Sequence, residues 1–286
     1  MQLPFKIDLS GKTVAVTGGG GVLCSGFSKA LAACGAQVAV MDLRKEAAQK
    51  IADEILADGG VAIAVAANVL EKESLLAAKA EIDAAFGGID ILINGAGGNH
   101  PKGTTSKEYF FPEDKEAQVA SDILTFFDLD PSGIQFVFNL NFLGTLLPTQ
   151  VFARDMMDRP NPLILNISSM NAFRPLTKIP AYSAAKAAIS NFTQWMAVHF
   201  SKVGIRVNAI APGFFVTDQN RALLFDADGN PTARTKKILD HTPLGRFGAQ
   251  EDLTGTLLWL CDSKASGFVT GTVIPVDGGF AAYSGV

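Results

Sequence analysis

The sequence contains little cysteine and no long hydrophobic run. Its three cysteines are Cys24, Cys34 and Cys261, and their spacing fits neither a disulfide framework nor a zinc site. A reduced, cytoplasmic interior is therefore the expected location. No stretch of about 18 consecutive apolar residues occurs, and the first residues lack a signal-like apolar segment, so we expect no membrane span.

An excess of positive charge is also absent. The chain has 24 Lys and Arg against 28 Asp and Glu, a net charge of −4, so we expect no nucleic-acid partner. Residues 99–133 hold three lysines and seven acidic residues and carry the whole of this charge, which favours a solvated insertion. His100 has no acidic, Cys or His partner at a ligand spacing, so no metal site is predicted.

Alternating strand-like and helix-like segments are what the sequence does contain. The 286 residues suit one α/β domain, and the 48% of hydrophobic residues can fill its core. Short β-rich runs are predicted at Thr13–Thr17, Gln37–Met41, Val61–Ala66, Asp90–Ile93, Leu163–Asn166, Ile205–Ile210 and Thr272–Val276. Helical patterns are predicted at Ser25–Cys34, Lys45–Leu56, Lys72–Phe86, 134–157, Tyr182–Lys202 and Gln250–Cys261.

This alternation predicts the fold class. Repeated strand–helix units imply a single-domain, Rossmann-type, doubly wound parallel sheet of about seven strands with helices on both faces. Two irregular regions, at about 99–133 and 213–247, interrupt the alternation. We interpret the whole chain, residues 1–286, as one dinucleotide-binding and catalytic domain with these two insertions.

A glycine run follows the first predicted strand and precedes a helix. Glycines at 18–21 would let the backbone approach a pyrophosphate, and the helix N-terminus would offer free N–H groups to it. A phosphate-binding P-loop is excluded, because Phe27 stands where the lysine after Gly26 would have to be. A plain turn without a ligand remains the alternative.

An acidic residue follows the second predicted strand. Asp42 could accept hydrogen bonds from the ribose hydroxyls of adenosine and would repel a 2′-phosphate, which favours NAD over NADP. Arg44 is a signal in the other direction, because an arginine can neutralise that phosphate. Asp42 could also simply cap the next helix.

A tyrosine and a lysine stand four residues apart, at Tyr182 and Lys186, and so share one helix face. Oxidation of an alcohol needs a base for the hydroxyl proton, and a nearby ammonium favours the phenolate of a tyrosine. Alone, such a pair is usually surface decoration. Ser169, however, lies thirteen residues earlier, at the carboxyl end of the fifth predicted strand, where the ligand crevice of an open sheet lies.

In these features the chain resembles the short-chain dehydrogenase/reductase family over almost its whole length. The resemblance implies an NAD-dependent oxidoreductase with the catalytic residues Asn141, Ser169, Tyr182 and Lys186. Two motifs depart from the family pattern. Val22 and Cys24 replace the last two glycines of the family turn, and the family's Asn-Asn-Ala-Gly reads Asn94-Gly-Ala-Gly97. A nicotinamide-binding regulatory protein without turnover is an alternative that would not require the four catalytic positions.

The resemblance also implies a set of cofactor-binding residues. Asn68 takes the place of an acidic residue that usually meets adenine, Pro212 and Gly213 would border the nicotinamide, and Thr217 would bond its carboxamide. The full set is Gly18, Gly20, Gly21, Val22, Leu23, Asp42, Asn68, Val69, Asn94, Ala96, Gly97, Tyr182, Lys186, Pro212, Gly213 and Thr217.

Three longer segments, at 94–101, 212–221 and 276–286, resemble the D-mannonate oxidoreductase (fructuronate reductase) branch of the family. This resemblance implies a sugar-acid substrate, D-fructuronate or D-mannonate. The carboxylate of such a substrate needs a cation, and its hydroxyls need polar partners. The candidates are Arg174 or Arg221 for the carboxylate, and Asn99, His100, Asn171 and Asn220 for the hydroxyls; an ordinary loop contact is the alternative for each.

Other substrates and the assembly remain open at this point. A polyol dehydrogenase, a ketose reductase or a 3-oxoacyl-carrier-protein reductase would share the catalytic residues. An acidic carrier protein would require a basic rim, and the insertion of charge −4 has the wrong sign. The family resemblance further implies a homotetramer formed through the long helices and the last strand.

Overall fold

The computed structural model describes residues 6–115, 123–217 and 220–285. Parts of both predicted insertions, residues 116–122 and 218–219, lie outside the described residues. Within the described chain one sheet of seven parallel strands has the order β3-β2-β1-β4-β5-β6-β7. The strands are β1 Thr13–Thr17, β2 Gln37–Asp42, β3 Val61–Ala66, β4 Ile91–Asn94, β5 Leu163–Ile167, β6 Arg206–Pro212 and β7 Val273–Val276. The predicted doubly wound parallel sheet is confirmed.

The helices flank this sheet on both faces. They are α1 Val22–Ala33, α2 Lys45–Ala57, α3 Lys72–Phe86, α4 Pro131–Phe138, α5 Gly144–Met156, α6 Pro180–His199, α7 Arg221–Leu224, α8 Ala233–Asp240, α9 Gln250–Cys261 and α10 Ser263–Ser266. One apolar core joins α1, α2 and α9 to the sheet, and a second joins α3, α5 and α6 to its other face. Coverage of both faces explains why the inner strands read as unbroken apolar runs.

Strand β1 pairs with β2 on one side and with β4 on the other, so the strand order reverses between β1 and β4. The segment after β1 therefore continues into α1 on one face of the sheet, and the segment after β4 leads to α5 on the other face. A crevice opens at the carboxyl ends of these two strands, as is usual at such a switch point. The predicted glycine turn follows β1, and the predicted loop with Asn94 and Gly97 begins at the end of β4.

Some predicted boundaries were wrong. The first helix begins at Val22 rather than at Ser25, because Gly21 already has the extended conformation of a cap residue. The sixth helix spans Pro180–His199 rather than Tyr182–Lys202. A short 3-10 turn at Ser201–Val203 and a left-handed Gly204, with φ of 76°, end it early.

The long helix predicted at 134–157 is interrupted. It consists of α4, a single π-helical turn at Asn139–Leu143, and α5. The stretch Pro131–Met156 is long enough to cross a membrane, and an 18-residue window within it has a mean hydropathy of 1.3, but half of that window is buried inside the fold. We interpret it as a core helix, because Val151, Phe152 and Met156 pack in the second apolar core.

The second irregular region, at about 213–247, was predicted to have no regular structure, and this prediction was wrong. It contains α7 and α8; in α8 only Thr235 and Ile238 are buried, so the apolar periodicity is too weak to indicate a helix from sequence. The first region contains 3-10 turns, and α4 begins inside its predicted end. An ion pair between Glu108 and Lys237 joins the two regions.

Candidate active site

The glycine turn after β1 is shaped by contacts with the second strand. Gly18 has a φ of 65°, a conformation that glycine adopts at no steric cost. The N–H of Gly20 donates to Asp42 Oδ2 at 3.1 Å, and the N–H of Arg44 donates to Asp42 Oδ1 at 3.0 Å. The carboxylate of Asp42 is thus fixed beside the turn, where its charge can act on a bound dinucleotide.

The first turn of α1 offers N–H groups at the crevice. Its cap residue Gly21 provides no side-chain hydrogen bond, and no acidic side chain stands in the first turn. The N–H groups of Val22 and Leu23 are therefore available to an anion, and the positive end of the helix dipole favours one. This donor set suits the pyrophosphate of a dinucleotide.

The loop after β4 lies directly against the glycine turn. The hydroxyl of Thr17 accepts hydrogen bonds from the N–H groups of Gly95, at 3.0 Å, and Ala96, at 3.2 Å. A Cβ added to Gly18 would lie 3.0 Å from Ala96 Cα, so the two backbones are in contact. Thr17 was absent from the predicted site, although its position directly before the glycines could have indicated this role.

Tyr182 and Ser169 lie within hydrogen-bond reach of each other. A hydrogen bond with Ser169 acts to lower the pKa of Tyr182, but burial raises that pKa more strongly. We expected a nearby ammonium to depress the pKa of the phenol, but burial is the larger effect in this geometry. The neighbouring Ser168 bonds to the Lys186 carbonyl and to Ser190 on α6, so Ser169 is the serine that faces the phenol.

The ammonium of Lys186 is buried beside the same phenol. Its Nζ donates to the carbonyl oxygen of Ile167 at 2.8 Å and lies 5.6 Å from the centroid of the Tyr182 ring. Burial lowers the pKa of Lys186 to about 8. The lysine can therefore change its charge close to neutral pH, as a proton-handling group requires.

Asn141 lies in the π-helical turn and reaches the loop after β4. Its Nδ2 donates to the carbonyl of Gly98 at 2.7 Å, and the N–H of Gly98 donates to its Oδ1 at 3.3 Å. A Cβ on Gly97 would lie 2.7 Å from Asn141 Oδ1 and 3.1 Å from Lys186 Nζ. Only glycine at 97 lets both polar groups approach this loop, and π-helical turns are frequent at functional sites.

Several predicted cofactor residues are held by other parts of the protein. The amide of Asn94 is buried and donates to Thr149 and Asn166, so its side chain faces the core and only its backbone borders the crevice. The amide of Asn68 bonds to Glu71 and to the N–H of Leu70. These contacts orient Asn68 at the start of α3.

The remaining predicted cofactor residues line the edges of the crevice. Val69 packs on Gly144 at the start of α5. Gly213 follows the buried end of β6, and a Cβ there would lie 2.5 Å from Asp277 Cα, so space requires glycine. Thr217 stands at the base of the second insertion, where its N–H donates to Asn220 Oδ1 at 2.8 Å. Their contacts with a cofactor remain predictions.

The two predicted arginines differ from the other substrate candidates. Arg174 and Arg221 are exposed, and within the described chain neither forms an ion pair. Arg174 follows the 3-10 turn that begins after Ser169. Both guanidinium groups are thus available to a carboxylate.

The polar candidates are mostly fixed by local contacts. Asn220 holds the loop through Thr217 and Phe215, so its amide already has partners. Asn99 donates to Thr104 at 3.0 Å. Asn171 is buried, and its Oδ1 has no partner among the described residues.

His100 is held in one tautomer by its neighbours. Its Nδ1 accepts the N–H of Lys102 at 3.2 Å, and its ring packs on Phe136 at 5.0 Å between centroids. Because Nδ1 is an acceptor, the proton of the neutral ring is on Nε2, which can donate to a hydroxyl. Across the described parts of the chain, no group of three or more His, Cys, Asp or Glu could hold a metal ion.

Residues 12–227 match the family model of the short chain dehydrogenases, and the chain belongs to this family. It is 59% identical over 286 residues to an uncharacterized oxidoreductase of Haemophilus influenzae, covering 100% of this chain and 99% of that protein. It is 32% identical over 276 residues to a 5-keto-D-gluconate 5-reductase of Escherichia coli, covering 95% and 96% of the two chains.

A solved structure is similar over the same length. The solved structure of a protein from Haemophilus influenza, described as a candidate D-mannonate oxidoreductase, contains bound NAD; it is 60% identical to this chain, with a TM-score of 0.92 and 98% of each chain covered. The predicted class of enzyme, a short-chain oxidoreductase, is confirmed by the family match.

Proposed function

We propose that this protein is an NAD-dependent oxidoreductase of sugar acids that interconverts D-fructuronate and D-mannonate. The observation that carries the proposal is that Arg174 and Arg221 are exposed and form no ion pair within the described residues. A hexuronate carries one carboxylate, which an arginine can bind through two parallel hydrogen bonds. The name of the 60% identical solved protein and its bound NAD support this substrate and this cofactor.

The cofactor, when bound, supplies or accepts the hydride. The chain's own residues bind and move the proton. Ser169 and Tyr182 would hold the substrate oxygen, and the phenol would donate or accept its proton. Buried Lys186 favours the phenolate through its charge, and Asn141 fixes the loop between that lysine and the cofactor turn.

The substrate test measures NADH absorbance with a panel of matched compounds. D-Fructuronate should be reduced far faster than D-fructose, which has the same carbon skeleton without the carboxylate. The reverse reaction should proceed on D-mannonate with NAD. Equal rates on fructose and fructuronate would contradict the sugar-acid proposal and favour a polyol or ketose enzyme, the second candidate.

We also propose that the protein is a homotetramer. An apolar groove of about 410 Å³ runs along α5 and α6, and Trp195 in its wall is 55% exposed. Exposed apolar surface of this kind marks contact sites. Light scattering coupled to size exclusion should give four times the 30.1 kDa chain mass, and a monomer would contradict the proposal. We further propose that the substrate is a small molecule and that the protein is located in the cytoplasm.

A further inference from the structure

Two departures from the family motifs meet in space. Cys24 stands at a family glycine position in the first turn of α1, and Gly95 stands at a family asparagine position after β4. A Cβ added to Gly95 would lie 2.2 Å from Cys24 Sγ and 3.7 Å from Cys24 Cβ. The sulfur therefore occupies the place where a side chain of residue 95 would begin.

The requirement for glycine at 95 is one of space rather than of backbone conformation. Gly95 is not among the residues with positive φ, so its backbone would accept a side chain. Besides the sulfur, only the carbonyl oxygen of Thr17, at 2.8 Å from the added Cβ, comes closer than 3 Å. Loss of a side chain at 95 thus compensates for gain of one at 24.

The loop that Cys24 contacts is the loop that faces the catalytic groups. Two residues after Gly95, Gly97 approaches Asn141 Oδ1 and Lys186 Nζ, and Gly98 exchanges two hydrogen bonds with Asn141. Cys24 itself lies in the first turn of α1, whose N–H groups suit a pyrophosphate. Cys24 thus lies between the two halves of the site.

We propose that Cys24 is a positioning residue for the NAD-dependent reaction. Its sulfur supports Gly95 and thereby sets the distance between the dinucleotide turn and the loop that carries Gly97 and Gly98. The thiol itself takes no part in the chemistry. This inference rests on the NAD part of the proposed function and not on the identity of the sugar acid.

The first test compares two buried cysteines. Cys24 and Cys261 are each 5% exposed and lie in the same apolar core, but Cys261 is on α9, away from the loop after β4. Cys24→Ala and Cys261→Ala each remove one sulfur atom and should lower the thermal midpoint by similar amounts. Only Cys24→Ala should raise the NADH dissociation constant and lower kcat, each by about three- to tenfold, a typical size for coupling between contacting residues.

The second test is a rescue. Gly95→Ala should weaken NADH binding at least about tenfold, because its Cβ collides with the sulfur. The double variant Cys24→Ala/Gly95→Ala should regain most of that loss, since the two Cβ atoms would be 3.7 Å apart, an ordinary contact. Recovery should be incomplete because the Thr17 carbonyl remains close. Gly255→Ala, with nothing within 4 Å of its added Cβ, is the control.

Three outcomes would overturn the proposal. The first is an equal effect of Cys24→Ala and Cys261→Ala on NADH affinity and kcat. The second is strictly additive losses in the double variant. The third is a rescue of the thermal midpoint without a rescue of NADH affinity, which would make the pair a packing feature only. If Gly95→Ala does not fold, the cysteine comparison still decides. A wild-type protein that does not bind NADH would contradict the NAD proposal separately.

Discussion

The ammonium of Lys186 donates to the carbonyl of Ile167 at 2.8 Å and lies 5.6 Å from the Tyr182 ring centroid, so one lysine joins the end of β5 to the phenol. Within the described chain no carboxylate pairs with this ammonium. Burial therefore penalises its positive charge with no carboxylate to offset the penalty, and its pKa falls to about 8. The positive charge of Lys186 can therefore act on the Tyr182 phenol and on a ligand bound beside Gly97.

The lowered pKa of Lys186 predicts a specific pH dependence of stability. Its pKa of about 8 in the folded protein lies below its ordinary value of 10.5. Between these two values the unfolded chain binds more protons than the folded protein, so the free energy of unfolding should rise with pH. Over this window the gain from this group is on the order of 3 kcal/mol.

Urea unfolding of the wild type and Lys186→Met at pH 7, 8 and 9 checks this prediction. The wild type should gain stability relative to the variant as the pH rises. Cys24, whose pKa burial raises to about 12, is present in both proteins and its contribution cancels. If the difference in the free energy of unfolding between the two proteins stays constant or changes against the wild type as the pH rises, Lys186 does not have the lowered pKa.

Removal of the Tyr182 hydroxyl should lower turnover strongly and leave cofactor binding nearly intact. Tyr182→Phe keeps the ring that packs with the small apolar cluster of Val137, Ala181 and Ala185 but loses the proton-transfer group. A general acid or base contributes about 10²–10⁴-fold to rate, so kcat should fall within that range. Tyr109→Phe, which alters a 65% exposed ring, is the control. Retention of more than a tenth of the wild-type kcat would remove Tyr182 from the mechanism.

The charge of Asp42 should determine the choice between NAD and NADP. Asp42→Asn retains an oxygen acceptor for the N–H of Gly20 but removes the charge that would repel a 2′-phosphate. The ratio of kcat/KM for NAD to that for NADP should fall by about tenfold or more, equivalent to 1.4 kcal/mol. Glu46→Gln, on the first turn of α2, is a control for surface charge. A wild type that already prefers NADP would assign the decisive role to Arg44.

The exposed guanidinium of Arg174 should be selective for a charged substrate. Arg174→Ala should lower kcat/KM for D-fructuronate by at least about tenfold, the loss of one charge-assisted contact, and leave that for a neutral ketose unchanged. Arg221→Ala is the matched comparison, because both side chains are exposed and unpaired within the described chain. Equal losses on both substrates would show that Arg174 supports the loop. A loss only with Arg221→Ala would show that Arg221, on α7, binds the substrate carboxylate.

The sequence by itself determined the fold, whereas the catalytic set Asn141, Ser169, Tyr182 and Lys186 stays a prediction that the family resemblance implies. Strands and helices alternate with clear periodicities, because burial of both sheet faces forces apolar residues into β runs and onto one side of each helix. Short polar motifs at strand ends, such as Gly18–Gly21 and Tyr182 to Lys186, could be placed at one edge of the sheet from order alone. The two short helices of the second insertion were missed because their few buried residues leave little periodic signal.

Only the tertiary structure decided how side chains from distant segments meet. The two unusual positions Cys24 and Gly95 are 71 residues apart in the sequence, and nothing in their local patterns shows that a sulfur fills the space of a missing side chain. The core-facing amide of Asn94 and the π-helical turn at Asn141 were likewise invisible, because each depends on contacts between elements. Local propensity fixes elements, whereas steric fit between elements fixes the site.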